Sequence, residues 1–76
     1  MTITLKPLTA FVIREGNVAT VEIKYDEGVV ALSTRHPELH TKLDPAEGIN
    51  DHLVQMKSRG LNIVALETNM PGVELR

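Results

Sequence analysis

The sequence predicts a single small α+β domain with the element order β-β-β-α-β. Two aliphatic, β-branched runs flank a glycine-asparagine pair, a helix-start signal begins at Asp44, and a short apolar run follows the helix at 61–66. A chain of 76 residues forms one domain with a small core, near the size at which folding alone is marginal. The domain therefore covers residues 1–76, and the tail at 69–76 is expected to be loosely held.

The first predicted strand, at about residues 8–14, is apolar on both faces. Its apolar side chains alternate between the two sides, with Leu8, Ala10 and Val12 on one and Phe11 and Ile13 on the other. A strand with only one face on the core should alternate apolar and polar residues. Because a domain this small has one thin core, the second apolar face needs another cover.

That second face predicts a partner-binding surface, since contiguous exposed apolar patches mark interaction sites. The candidate partner-binding residues, taken from both faces of the strand, are Leu8, Phe11, Val12 and Ile13. The alternative is that the tail of the same chain covers the strand through Val73 and Leu75. Pairing of an uncovered strand edge with another chain is a related route to association.

The pair Gly16-Asn17 predicts a tight hairpin that leads into a second strand at 18–25. A two-residue loop pairs Val12 with Val21, whereas a three-residue loop pairs Phe11 with Val21. A one-residue slip exchanges the two faces of a strand, and both registers look apolar here. The face of the first strand that meets the core is therefore left open.

A second turn, at Glu27-Gly28, predicts a third strand at about 29–34. This turn should pair Tyr25 with Val30 and Ile23 with Leu32. A further alternating stretch, from Thr2 to Lys6, is expected to extend the first strand beyond Pro7.

The strongest local signal is the start of a helix over about residues 45–59. Asp44 can cap the first amides, Pro45 suits the first helical position, and Glu47 can close a capping box. The apolar stripe of this helix consists of Ala46, Ile49, Leu53 and Met56. Gly60 is a natural stop.

The last apolar run, Leu61 to Leu66, predicts a central strand or one that is covered on both sides. The helix before it makes a parallel crossover plausible, because such strand connections usually carry a helix. Between the third strand and the helix, residues 36–43 are predicted to form a loop or one short helical turn.

The only cluster of ligand-type residues is His36-Pro-Glu-Leu-His40, with His52 as a distant further ligand. Its spacing is irregular and contains a proline, so we predict no tight metal site. The chain has no cysteine and no glycine-rich phosphate loop, and no cofactor is predicted. Two alternatives stay open: a ligand- or metal-sensing domain that uses the His36–His40 loop, and a small enzyme whose site lies at an oligomer interface.

Charge and composition narrow the class of partner. The formal net charge is −2, only two residues are aromatic, and no basic patch is present, so nucleic-acid binding is not expected. The first residues lack the charged and apolar regions of a signal peptide, and no apolar run reaches transmembrane length. These features predict a soluble cytoplasmic protein.

The leading hypothesis is a non-enzymatic protein-interaction module, a regulator or inhibitor that docks on a partner protein and forms a homodimer. It fits the surplus apolar face, the small size and the lack of a catalytic motif. Small, acidic, cysteine-free domains are typical of phage or mobile-element inhibitors, anti-CRISPR proteins among them. This analogy rests on size and composition alone.

Overall fold

The computed structural model describes residues 6–76, which form one four-stranded mixed sheet with a single helix packed on it. The elements in chain order are β1 (Leu8–Glu15), β2 (Val18–Tyr25), β3 (Val30–His36), a short 3₁₀ turn (Leu39–Thr41), α1 (Pro45–Ser58) and β4 (Ile63–Thr68). The strand order in the sheet is β3-β2-β1-β4. This arrangement confirms the predicted α+β class and element order. The predicted strand extension at Thr2–Lys6 lies outside the described residues, except for Lys6, which is not in a strand.

The hairpin between β1 and β2 has the two-residue loop Gly16-Asn17. Glu15 pairs with Val18, and Val12 pairs with Val21. Gly16 has a φ of 61°, a left-handed conformation that glycine adopts without steric cost. Of the two registers that the sequence allowed, the two-residue loop is the one formed.

The turn between β2 and β3 differs by one residue from the predicted pairing. Ile23 pairs with Leu32 as expected, but Val30 pairs with Lys24 instead of Tyr25. The amide of Tyr25 donates to the carbonyl of Val29 at 2.9 Å, which closes the turn one residue early. Ala31 is left as an extra residue, a bulge that restores the register with β2.

Helix α1 begins as predicted. The Asp44 carboxylate accepts a hydrogen bond from the Glu47 amide at 3.1 Å, and Pro45 occupies the first turn. The predicted capping box is not closed in the described part of the chain, because the Glu47 carboxylate instead accepts two hydrogen bonds from Arg76, at 2.6 and 2.9 Å. Regular helix ends at Ser58, one residue before the predicted end.

The crossover to β4 is parallel to β1, as expected, but β4 is an edge strand and not a central one. It also begins two residues later than predicted. The Leu61 amide still donates to the Met56 carbonyl at 3.2 Å, so the helix end extends into the predicted strand. Since β2 already occupies one side of β1, the last strand takes the free side, and within residues 6–76 no strand pairs with its outer edge.

The core lies between α1 and one face of the sheet. Its buried hydrophobic residues are Leu8, Ala10, Val12, Ala19, Val21, Ile23, Leu39, Ile49, Leu53, Met56, Ile63, Met70 and Val73. They include three of the four residues of the predicted helix stripe, and Ala46 packs against the cluster. Aliphatic side chains therefore form the core, as the shortage of aromatic residues requires.

The tail is held against α1, contrary to the loose attachment expected from the sequence. Asn50 is buried in the helix, where its Nδ2 donates to the Gly72 carbonyl at 3.0 Å and its Oδ1 accepts from the Glu74 amide at 2.8 Å. Met70 and Val73 are buried in the core. A buried amide side chain with both ends satisfied is a strong local constraint.

The single helix of residues 6–76, α1, is too short and too polar to cross a membrane.

Candidate functional site

The observed register assigns the candidate residues of β1 to different faces. Leu8 and Val12 are buried under α1, so they are excluded from an exposed partner surface. Phe11 and Ile13 point to the opposite face because side chains alternate along a strand. Phe11 is partly buried, and Ile13 is exposed. The candidate surface therefore contains two of the four predicted residues.

We call this side of the sheet the open face. Its side chains from the two central strands and β4 include Phe11, Ile13, Thr20, Glu22, Lys24 and Glu67. The tail does not cover it, because Val73 is buried in the core with α1 and Leu75 packs against that core. The predicted alternative, in which the tail shields this face, is therefore wrong for the side chains of Val73 and Leu75.

The surroundings of Phe11 are charged. Glu22 on β2 and Glu67 on β4 are its direct cross-strand neighbours. The Nζ atom of Lys24 lies 5.1 Å from the centroid of the Phe11 ring, within the range of a cation–π contact. Lys24 thus covers part of the ring with its cation, and the two glutamates border it.

A depression of about 590 Å³ lies beside Phe11 on the open face. Its lining residues are Ile13, Glu15, Val18, Thr20, Glu22 and Arg35. Within residues 6–76, the carboxylates of Glu15, Glu22 and Glu67 form no ion pair. The open face therefore combines two apolar side chains with three carboxylates that are available to a partner.

A second cluster joins β3 to α1 through two histidines. The rings of His36 and His52 meet edge to face, with centroids 5.0 Å apart and planes at 71°. The Nε2 atom of each ring is buried and has no hydrogen-bond partner in the described part of the chain. Burial lowers the pKa of His36, and the nearby charges of His52 and Lys42 lower it further. Burial also lowers the pKa of His52, with a smaller effect from Arg59.

The sequence suggested His52 only as a distant further ligand and did not predict its direct contact with His36, which arises from the packing of β3 against α1. The two histidines of the predicted ligand cluster, His36 and His40, have different surroundings in the structure. Across residues 6–76, no group of three or more His, Asp or Glu residues is placed to hold a metal ion. His36 contacts the ring of His52, whereas His40 is exposed to solvent. That the 36–40 loop binds no metal tightly stays a prediction.

No model of a protein family matches this chain, and no curated protein or solved structure matches it either.

Proposed function

We propose that this protein is a small non-enzymatic interaction module, a regulator or inhibitor that docks on a partner protein through the open face. The observation that carries the proposal is the position of Phe11 and Ile13 on a face that the tail leaves uncovered. Burial of an aromatic or aliphatic side chain contributes roughly 1.5–3 kcal/mol. Two such side chains beside each other supply the apolar centre that binding surfaces need.

The charges around this centre indicate the chemistry of the partner. Glu15, Glu22 and Glu67 have no ion pair within residues 6–76, whereas Lys24 is already engaged with the Phe11 ring. A complementary surface carries an apolar group flanked by lysine or arginine, because opposite charges steer and orient association. We therefore commit to a partner protein with a basic rim around an apolar centre.

The same charges disfavour a second copy of this chain on the open face. Three carboxylates and two cations, Lys24 and Arg35, lie on or beside it. In a two-fold packing of the face on itself, the excess carboxylates of both copies approach each other, and like charges at an interface weaken binding. Self-association, which the sequence led us to expect, thus needs a different surface.

Selection of phage-displayed random peptides on the immobilised protein tests the proposal with a probe of defined chemistry. We expect the selected peptides to combine Lys or Arg with aliphatic or aromatic residues and to shift the backbone amide resonances of Phe11 and Ile13. Ile13→Asp should abolish their binding. Val54→Asp is the matched control, because Val54 on α1 is 40% exposed and Ile13 is 42% exposed.

Two results would overturn the proposal. One is that no peptide is enriched on the wild-type protein relative to Ile13→Asp. The other is that Val54→Asp weakens binding as much as Ile13→Asp, or that the shifted resonances map to α1. Circular dichroism of both variants checks that each remains folded.

A further inference from the structure

Of the two sheet edges in the described part of the chain, the outer edge of β3 exposes more large hydrophobic residues than that of β4. Among residues 6–76, β3 has a hydrogen-bonded neighbour on one side only, β2. Alternate backbone N–H and C=O groups on its other side therefore face solvent. Val29, Val30 and Leu32 are exposed large hydrophobic residues, and residues 29–34 carry no charge. An uncharged apolar strand edge is a template for pairing with another strand.

The core on the helix side is incomplete at this edge. Leu32 lies directly opposite Ile23, so both side chains point to the face that α1 covers. Ile23 is 0% exposed, whereas Leu32 is 39% exposed. Cover by the helix thus does not reach Leu32, although α1 contacts His36 at the far end of β3. A strand added beside β3 would shield Leu32 and extend the core.

The other edge, β4, is less suited to pairing. A bulge interrupts each edge strand: the extra residue is Ala31 in β3 and Val64 in β4. Beyond the bulge, the ladder of β3 is regular from 32 to 36, and that of β4 from 65 to 68. Each regular segment contains one charged residue, Arg35 in β3 and Glu67 in β4. The β4 segment is shorter, however, and β4 exposes one large hydrophobic residue, Val64, where β3 exposes two, Val30 and Leu32.

Charge is distributed along β3 so that two copies fit in antiparallel orientation. Asp26 and Glu27 lie in the turn before the strand, and Arg35 lies near its end. Beyond that end, Lys42 lines the same cavity as Arg35, together with the carboxylates of Glu38 and Asp44. Glu27 makes one long contact of 3.9 Å to Lys6, with both side chains mostly exposed. In an antiparallel pair, the acidic turn before each strand lies toward Arg35 of the other.

We propose that two copies of this chain associate through β3, antiparallel across a two-fold axis, and join their four-stranded sheets into one continuous sheet. Main-chain hydrogen bonds along the two edges hold the dimer, and the Leu32 side chains of both copies complete the core between the two helices. The open face of each copy stays free, so this association is independent of docking on another protein.

Sedimentation over a series of protein concentrations tests the inference with matched variants at the two edges. Leu32→Lys places cations near the two-fold axis and should weaken the dimer by about tenfold or more. Val64→Lys makes the same kind of change on β4, where Val64 is 58% exposed, and should alter the dissociation constant by no more than about twofold. Phe11→Asp should leave the dimer intact.

A wild-type protein that sediments as a monomer at the highest attainable concentration would overturn the inference. So would a dimer that Leu32→Lys leaves unchanged, or one that Leu32→Lys and Val64→Lys weaken equally. Dissociation by Phe11→Asp, with no effect of Leu32→Lys, would instead assign the interface to the open face. Far-ultraviolet circular dichroism establishes that each variant is folded before it is sedimented.

Discussion

The two faces of β1 have opposite roles although their residues are neighbours in sequence. Val12 is 0% exposed and packs under α1, whereas the next residue, Ile13, is 42% exposed on the open face. Composition does not distinguish these faces, since both are apolar. The difference arises from the register, which the turn at Gly16-Asn17 fixes. An apolar residue in a strand is thus a core residue or a surface residue according to a turn several positions away.

The face of β1 that packs on α1, the covered face, is also stabilised by the tail of the chain. Asn50 ties the tail to α1, and Met70 and Val73 from the tail complete the core. No equivalent layer from the tail reaches the open face. The covered face should therefore respond strongly to substitution, and the open face weakly.

The largest contrast is expected between Val12→Asp and Phe11→Asp. A carboxylate at position 12 is buried without a partner, and such changes cost about 4 kcal/mol or more. Total stability of a small domain is about 5 kcal/mol or slightly more. Val12→Asp should therefore unfold the protein, while Phe11→Asp should keep a cooperative thermal transition by circular dichroism. Unfolding of both variants would show that β1 is buried on both sides within its own chain.

A smaller effect is expected at the tail. Asn50→Ala removes two hydrogen bonds and leaves the Gly72 carbonyl and the Glu74 amide without this partner, at a cost of about 1–3 kcal/mol. Hydrogen exchange should accelerate in residues 70–76, and the urea midpoint should fall. Gln55→Ala on the exposed side of α1 is the control. If the tail exchanges at the same rate in both variants, Asn50 does not hold it.

The helix start should contribute slightly less. Asp44→Ala removes the acceptor for the Glu47 amide, and loss of such a cap costs about 0.5–2 kcal/mol. Asp51→Ala deletes an exposed carboxylate within the same helix and serves as the control. Equal melting temperatures for Asp44→Ala and wild type would contradict the assigned cap.

The weakest effect concerns pH and the contact between β3 and α1. The lowered pKa values of His36 and His52 mean that the unfolded chain binds protons more tightly than the folded chain. The free energy of unfolding is therefore undiminished above the ordinary histidine pKa of about 6.5, and it decreases as the pH falls from there toward the lowered pKa values. Urea unfolding at a series of pH values should detect this slope.

Substitution of the pair isolates its contribution to that slope. His52→Gln should flatten the dependence of stability on pH below about 6.5, because one titrating ring and its effect on His36 are removed. His40→Gln changes an exposed histidine and should leave the slope as in wild type. A wild-type slope in His52→Gln would mean that the pair does not control it.

Local signals in the sequence predicted most of the fold. The Asp44 cap and the turn at Gly16-Asn17 follow from short-range chemistry, although the length of the loop was left open, and the parallel final strand follows from the helix that precedes it. The edge position of β4 did not follow, because an apolar run has the same composition at a sheet edge as at its centre. The role of Asn50 in binding the tail was not predicted for a related reason. Its hydrogen-bond partners lie more than 20 residues away, and no local sequence pattern indicates them.

The candidate site was predictable in part. The surplus of apolar residues in β1 identified Phe11 and Ile13, but it could not separate them from Leu8 and Val12 without the register. The exposed edge of β3 was harder to predict from the sequence. The strand pattern indicates that Leu32 is a core residue, and only the position of α1 shows that Leu32 is partly exposed. Pairwise packing between distant elements decides such positions, and a single strand pattern does not contain that information.

Thiol labelling tests the division between the two faces of β1 most directly, because the chain has no cysteine of its own. Ile13→Cys and Val12→Cys each introduce one thiol, and the rate of reaction with a chromogenic disulfide reagent is measured in dilute native solution. We predict that Cys at position 13 reacts at a rate close to that of the denatured chain. We predict that Cys at position 12 reacts only as fast as the protein opens globally. Equal protection of the two thiols would contradict the account, since the open face would then be covered within the folded chain.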